Sequence, residues 1–470
     1  MIPMSLAEVA RVTAGTLRTH GDDTPETMIS GVVDTDSRAM APGGVFIAKP
    51  GDVTDGHLFV RAAREGGARL AIVERVVDEP ISQIVVGDAV RALADLAREV
   101  VARVRASGRL EVVGITGSNG KTTTKNLLAR ILEDEGETVA PRASYNNEVG
   151  APLTMLRVTE GTRYLVSEFG ASRIGRIAEL AGLVTPDVGA VLMVGLAHAG
   201  GFGGVEATQR AKTELVEATR PGGVAVLNAD DPRVAAMSQV AQERGVSVRW
   251  FGRSSAAQVR AEDVEVTSAG TACTVVIGDQ RLPLRLRVLG EHHVMNALAA
   301  LTISGVLGVA PESAIQRLET VEIAERWRMQ PLGSDRVRII NDAYNASPDS
   351  MAAALRTIAQ IAEPGQRKVA VLGAMSELGE QAGEEHDRVG LLAVRLRFER
   401  IVVVGSAARR LYLAAIGEGS WDGEAVFFET QDEAFDYLQG ELRDGDRVLV
   451  KSSNSAGLRH LGDRLGESFS

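Results

Sequence analysis

The densest potential chemistry in this sequence lies in Gly114-Ile115-Thr116-Gly117-Ser118-Asn119-Gly120-Lys121-Thr122-Thr123. An apolar strand pattern at 110–116 leads into it, and a helical pattern at 121–135 follows, stopped by Gly136. Glycines between a strand and a helix let backbone amides approach phosphate oxygens, and the helix N-terminus adds positive potential. Lys121 is then placed to reach the outer phosphates of a nucleotide, and Thr122 to hold magnesium. Ile115 stands where the strict P-loop pattern has glycine. Three further side chains are of types that serve a phosphate site. Glu168 ends an apolar strand pattern at 164–169, and ligands gather at the carboxyl ends of parallel strands. His198 lies in a glycine-rich stretch, Gly195-Leu196-Ala197-His198-Ala199-Gly200-Gly201-Phe202-Gly203. Lys212 falls on a helical pattern, where a lysine is ordinarily a solvated charge. The neighbours His292 and His293 point about 100° apart on a helix and do not share a metal.

The surrounding elements read as α/β. Residues 1–107 mix short strands, at 32–34 and 44–48, with an amphipathic helix carrying Val90, Leu93, Ala94, Ala97, Val100, Val101 and Val104. Ser107-Gly108 ends that helix and marks a boundary. From 108 to 327, apolar runs at 110–116, 164–169, 188–194 and 224–227 alternate with helical patterns, which predicts a parallel sheet covered on both faces. The pattern restarts near Trp327, with strand candidates at 337–340, 369–372, 401–404 and 448–450. This predicts a Rossmann-like domain over 328–470. A chain of 470 residues accommodates such a division.

The net charge of −11 and the lack of any Lys/Arg-rich tract argue against a nucleic-acid partner. The single cysteine, Cys273, excludes an internal disulfide. The start Met1-Ile2-Pro3-Met4-Ser5-Leu6 does not read as a signal peptide, and there is no apolar run of about 18 residues. These features predict a cytoplasmic protein with no membrane insertion.

Gly117-Ser118-Asn119-Gly120-Lys121-Thr122-Thr123 resembles the phosphate loop of the Mur ligase family. Asn146-Asn147-Glu148-Val149-Gly150, Asn341-Asp342-Ala343-Tyr344-Asn345-Ala346-Ser347-Pro348 and Leu372-Gly373-Ala374-Met375-Ser376-Glu377-Leu378-Gly379 resemble the member that adds D-alanyl-D-alanine to UDP-N-acetylmuramoyl-tripeptide. The resemblance covers nearly the whole chain. It implies a UDP-sugar domain, a central ATPase and a mobile C-terminal domain acting as a monomer on those two substrates, with ATP and Mg2+. ATP would phosphorylate the substrate carboxylate, and the amine would attack the acyl phosphate. A bare carboxylate repels nucleophiles, so the work left to the protein is charge neutralisation and positioning.

By the same resemblance, residues 117–123 hold ATP, Asn296 contacts adenine, and Arg328 reaches the phosphates from the interdomain linker. Asp342 and Tyr344 close over the nucleotide. Thr122, Glu168, His198 and Lys212, the last as a carbamate, bind magnesium, and Lys121, His198 and Lys212 are the catalytic set. Ser37 and Arg38 in Thr35-Asp36-Ser37-Arg38, with Asp55 and His57, hold the uridine diphosphate, and Asn146 and Asn147 the peptide stem. The chain departs from the family at Met193, Ser172-Arg173, Ala374 and, within Lys451-Ser452-Ser453-Asn454, at Ser452 and Asn454. Alternatives left open are a folylpolyglutamate synthase, a tripeptide-forming ligase of the family, and a catalytically silent nucleotide-binding protein.

Overall fold

The computed structural model describes residues 1–51, 54–106, 108–142, 144–196, 203–321, 326–418 and 424–470. Three large sheets follow one another along the chain. The first has five strands, in the order Thr16–Arg18, Ser82–Val85, Ala68–Val73, Gly44–Ala48 and Val33–Asp34. All its pairings are parallel except that of Thr16–Arg18. The predicted amphipathic helix forms over Ala89–Ala106 and buries Leu93, Leu96, Ala97, Val100, Val101 and Val104. The same apolar cluster takes in Val45 and Leu70 from the first sheet and Val112, Leu153 and Phe169 from the next part of the chain. One core therefore fixes the first sheet against the second.

The second sheet has nine strands, ordered Gln280–Leu286, Gly270–Ile277, Val259–Thr267, Ser247–Gly252, Val224–Asn228, Val188–Val191, Glu111–Thr116, Tyr164–Glu168 and Thr138–Val139. From Thr138–Val139 to Val259–Thr267 the pairings are parallel. Tyr164–Glu168 and Val188–Val191 are buried throughout, as strands covered on both faces must be. The expectation of a purely parallel sheet is corrected at the far edge. There the last two strands form an antiparallel meander with Val259–Thr267. The burial of Val259–Thr267 alternates, so its outer face is partly wet, which an antiparallel edge tolerates.

The third sheet runs Gln330–Gly333, Arg338–Asn341, Arg447–Lys451, Lys368–Leu372, Arg400–Val404 and Ala425–Phe428. It is parallel apart from its first pairing. Helices Pro348–Ile361 and Leu458–Ser468 are amphipathic and bury their apolar stripes in two clusters that share this sheet.

Candidate functional site

The strand Glu111–Thr116 pairs with Tyr164–Glu168 on one side and Val188–Val191 on the other, and the chain leaves its carboxyl end into the glycine loop. Such a point in a parallel sheet opens a crevice for ligand. Gly120 caps the helix Lys121–Glu133 at φ 84°, in the left-handed region. A Cβ there would also lie 2.3 Å from Asn296 Oδ1, so only glycine fits this turn. Ser118 is buried. Its amide donates to Met193 O at 2.9 Å and its hydroxyl accepts from Gly195 N–H at 2.8 Å, which ties the loop to the segment after Val188–Val191. Lys121 Nζ donates to Gly117 O at 2.7 Å. Burial pushes its ammonium below the usual lysine range; Glu168 opposes that shift and Arg328 adds to it.

A cleft of about 760 Å³ opens above this loop. Ser118 to Thr123, Asn146, Asn147, Glu168, Lys212, Asn296, Arg328, Asp342 and Tyr344 all line it, so one cavity gathers residues from the second and third sheets. Glu168 is 1% exposed. Its Oε1 accepts from Asn146 Nδ2 at 2.7 Å, while Oε2 is buried without a hydrogen-bond partner. A buried carboxylate oxygen left so is costly unless a cation meets it. Among the described residues no three His, Cys, Asp or Glu side chains converge; the Glu168 carboxylate and the Thr122 hydroxyl are two of the oxygen donors that line the cleft. These are hard oxygen ligands, of the kind magnesium takes. Lys212, on the helix Val205–Ala218, is 4% exposed. Burial, and then the charge of Lys121, hold its amine well below the ordinary lysine range. His198 lies outside the described residues.

Arg328 arrives from the linker into the third sheet. Trp327 and Met329 on either side of it have φ of 65° and 48°, left-handed values that bulky residues adopt only under constraint. Tyr344 N–H donates to Trp327 O at 3.1 Å and Met329 N–H to Asp342 Oδ1 at 3.0 Å, which supply that constraint. The Arg328 guanidinium lies over the Tyr344 ring, 4.2 Å from its centroid. Asp342 Oδ2 accepts from the buried Lys451 Nζ at 2.6 Å. Ser347 Oγ donates to Asn119 Oδ1 at 3.2 Å, so the third sheet's loop touches the phosphate loop directly.

Ser37, Arg38, Asp55 and His57 belong to the first sheet's surroundings and do not line this cleft. Arg38 is bound to Asp36, whose carboxyl its hydrogen bonds hold down to about 2. His57 is buried: Nδ1 meets Asp55 Oδ1 at 2.6 Å and Nε2 accepts from Glu74 N–H at 2.9 Å. Both its ring nitrogens are thus in use, and it is placed to orient Asp55 rather than to meet a ligand itself. Asn147 Oδ1 accepts from Gly150 N–H at 2.8 Å, at the start of the helix Gly150–Met155.

Three cleft residues escape a reading of the sequence alone. Lys451 is visible only as the lysine of a segment that departs from its motif at Ser452 and Asn454. Ser144 carries no signal beyond its place before Asn146. His293 is 6% exposed and neither ring nitrogen has a hydrogen-bond partner; burial holds it neutral, well below the usual histidine range. A histidine so placed three residues before Asn296 shares its helix face, a spacing the adjacent pair His292-His293 concealed.

Comparison with known proteins bears on all three parts of the chain. Residues 31–115 match the description "Mur ligase family, catalytic domain", residues 115–304 "Mur ligase middle domain", and residues 327–454 "Mur ligase, glutamate ligase domain". The chain is 41% identical to a UDP-N-acetylmuramoyl-tripeptide–D-alanyl-D-alanine ligase of Mycobacterium tuberculosis, over 99% of this chain and 98% of that one. A crystal structure of MurF from Acinetobacter baumannii superposes with a TM-score of 0.88 at 31% identity, covering 99% of each chain. MurF ligase from Thermotoga maritima in complex with ADP gives a TM-score of 0.80 at 26% identity, over 94% of this chain and 98% of that one.

Proposed function

Because this chain belongs to the Mur ligase family, we propose that it joins D-alanyl-D-alanine to UDP-N-acetylmuramoyl-tripeptide at the expense of ATP. The observation that carries this reading is the single cleft in which the phosphate loop, Glu168, Lys212 and the 342–344 segment meet. The tripeptide's terminal carboxylate oxygen attacks the γ-phosphorus of ATP and ADP departs, leaving an acyl phosphate. The dipeptide amine, after losing a proton, attacks the acyl carbon; the tetrahedral intermediate collapses, the C–O bond breaks and phosphate leaves.

Lys121 and the amides of residues 117–123 neutralise the phosphates, and Arg328 adds a guanidinium from the opposite wall. Asn296 and the neutral His293 hold the nucleoside end, while Asp342 and Tyr344 close over it. Glu168, Thr122, His198 and Lys212 as a carbamate hold magnesium, which screens the charge of the transferring phosphoryl group when bound. Carbamylation requires a neutral amine, and the surroundings of Lys212 favour one. Asn146 and Asn147 meet the peptide stem; Ser37, Arg38 and Asp55 hold the uridine diphosphate, with His57 behind Asp55.

On this reading residues 1–107 bind the UDP-sugar, 108–327 form the ATPase and 328–470 the closing domain. The protein works as a monomer in the cytoplasm, where ATP is supplied. No helix among the described residues is long and apolar enough to cross a membrane. The test is phosphate release together with mass-spectrometric detection of the pentapeptide product from ATP, magnesium, UDP-N-acetylmuramoyl-tripeptide and the dipeptide. Free D-alanine serving as well as D-alanyl-D-alanine would overturn the assignment.

A further inference from the structure

The loop that carries Asn146 begins beside the phosphate-loop helix, where the buried Lys125 Nζ donates to Pro141 O at 2.9 Å. This anchor brings Ser144 to a point where three chain segments meet. Ser144 Oγ lies 3.4 Å from Thr122 Oγ1 on the phosphate-loop helix, 3.2 Å from Arg328 Nη2 on the linker and 3.1 Å from Tyr344 OH beyond the third sheet. A serine hydroxyl has one proton and two lone pairs. Arg328 can only donate, and Tyr344 O–H is placed to donate as well, so both lone pairs are filled. The remaining Ser144 proton is then directed to Thr122 Oγ1; Arg328 Nη2 lies 3.3 Å from the same oxygen and frees a lone pair there for a cation when the phosphates draw it away. Every hydrogen-bonding position of the serine is used, each toward a residue of the reaction cleft.

We infer that Ser144 is a positioning residue that registers the third domain on the phosphate loop. It fixes Tyr344 and Arg328 relative to Thr122, so that closure of the third domain and correct placement of the phosphates occur together. The inference rests on the ligase reading above. Its chemical consequence is coupling. An acyl phosphate formed while the third domain is misregistered meets water before it meets the amine, and the products are then phosphate and unchanged tripeptide.

The experiment measures pentapeptide formed and phosphate released in the intact protein, for Ser144→Ala, Tyr344→Phe and the double variant. Losing one such hydrogen bond should lower kcat for pentapeptide by about three- to tenfold. Phosphate released per pentapeptide should rise above the wild-type ratio, a change that mere loss of folded protein does not produce. Because both substitutions break the Ser144–Tyr344 bond, the double variant should lose much less than the product of the two single losses. Ser144→Thr, which keeps the hydroxyl, should restore the ratio. A wild-type ratio in Ser144→Ala, or losses that multiply in the double variant, would overturn the assignment of Ser144. Absence of pentapeptide from the wild-type protein would instead overturn the ligase reading on which it stands.

Discussion

At the scale of single residues, the cleft depends on charges held where water does not reach them. Lys212 is buried beside Lys121, and a second ammonium there would repel both its neighbour and a metal. A carbamate reverses the sign and supplies two oxygens. Lys212→Ala should therefore lose most ligase activity, with partial recovery when a short carboxylic acid is added. Lys212→Arg should stay inactive, because guanidinium keeps its charge; an active Lys212→Arg enzyme would rule the carbamate out. His292 gives a second test. Burial is the main cause that brings its pKa from 6.5 down to about 4; Lys451 adds to the shift and Asp342 opposes it. The unfolded chain thus takes up this proton first as pH falls, so stability drops from about pH 6.5 toward pH 4 and levels off below. The contribution is up to about 3 kcal/mol. His293 shifts in the same direction. His292→Gln should flatten the pH dependence of the urea midpoint in that window, and an unchanged slope would assign the acid loss to other groups.

Elements carry constraints that no single side chain explains. The linker turns at Trp327 and Met329, both left-handed, and the structure secures that turn with hydrogen bonds to the Asp342 carboxylate and from the Tyr344 amide. Strain at the linker gives Arg328 one orientation instead of several. Elsewhere the same backbone conformation has no such use. Helix Ala382–Arg395 ends in a left-handed Arg397 at φ 56°, with Arg397 N–H donating to Val394 O at 2.8 Å and Phe398 N–H to Ala393 O at 3.2 Å. This is a helix stop in which glycine is usual, and the Arg397 side chain is exposed. Arg397→Gly should stabilise the third domain by about 0.5–1 kcal/mol, the relief of left-handed strain less the added freedom of the unfolded chain. Denaturant unfolding would show it as a higher midpoint at unchanged slope; a lower midpoint would mean that the arginine side chain contributes more than its backbone costs.

For the whole molecule, the question is what holds the third domain over the second. The first and second sheets share one apolar core. The third domain meets the second through Leu289 and Val266, which join its apolar cluster, and through the hydrogen bonds Ser347–Asn119, Tyr344–Ser144 and Leu196–Asp349, of 3.1 to 3.4 Å, at the cleft rim. The hydrogen bonds add little net free energy, so ligand contacts across the cleft add weight to the closed arrangement. Lys121 and Asn296 line one wall of the cleft and Arg328 and Asp342 the other, so a nucleotide held as proposed above would bind closed forms better than open ones. Small-angle scattering should therefore show a smaller radius of gyration with an ATP analogue and UDP-N-acetylmuramoyl-tripeptide than without. An unchanged radius would mean that closure is complete before ligand arrives.

What could be read in advance was whatever is local in the chain. The strand, glycine turn and Lys121-Thr122 pair are contiguous, so their geometry follows from neighbouring residues. The buried strands likewise announced themselves as apolar runs, and the structure moves their ends by only a few residues, as at Glu111–Thr116 and Arg400–Val404. The meander Val259–Thr267, Gly270–Ile277 and Gln280–Leu286 was missed because its half-wet strands dilute that signal and its pairing is a property of the sheet edge. Sequence likewise marked Glu168, Lys212, Asn296 and Arg328 as candidates, and only the resemblance implied that they share one site. They meet in one cleft because the carboxyl ends of two sheets face each other across the linker. Ser144, His293 and Lys451 belong to the other class. A serine, a histidine and a lysine are ordinary at any one position, and what distinguishes these three is the company that distant segments bring to them. The amino-acid order determined the loop that holds phosphate and the strands that aim it; only tertiary packing decided which side chains surround it, because burial and hydrogen-bond partnership are relations between segments far apart in the chain.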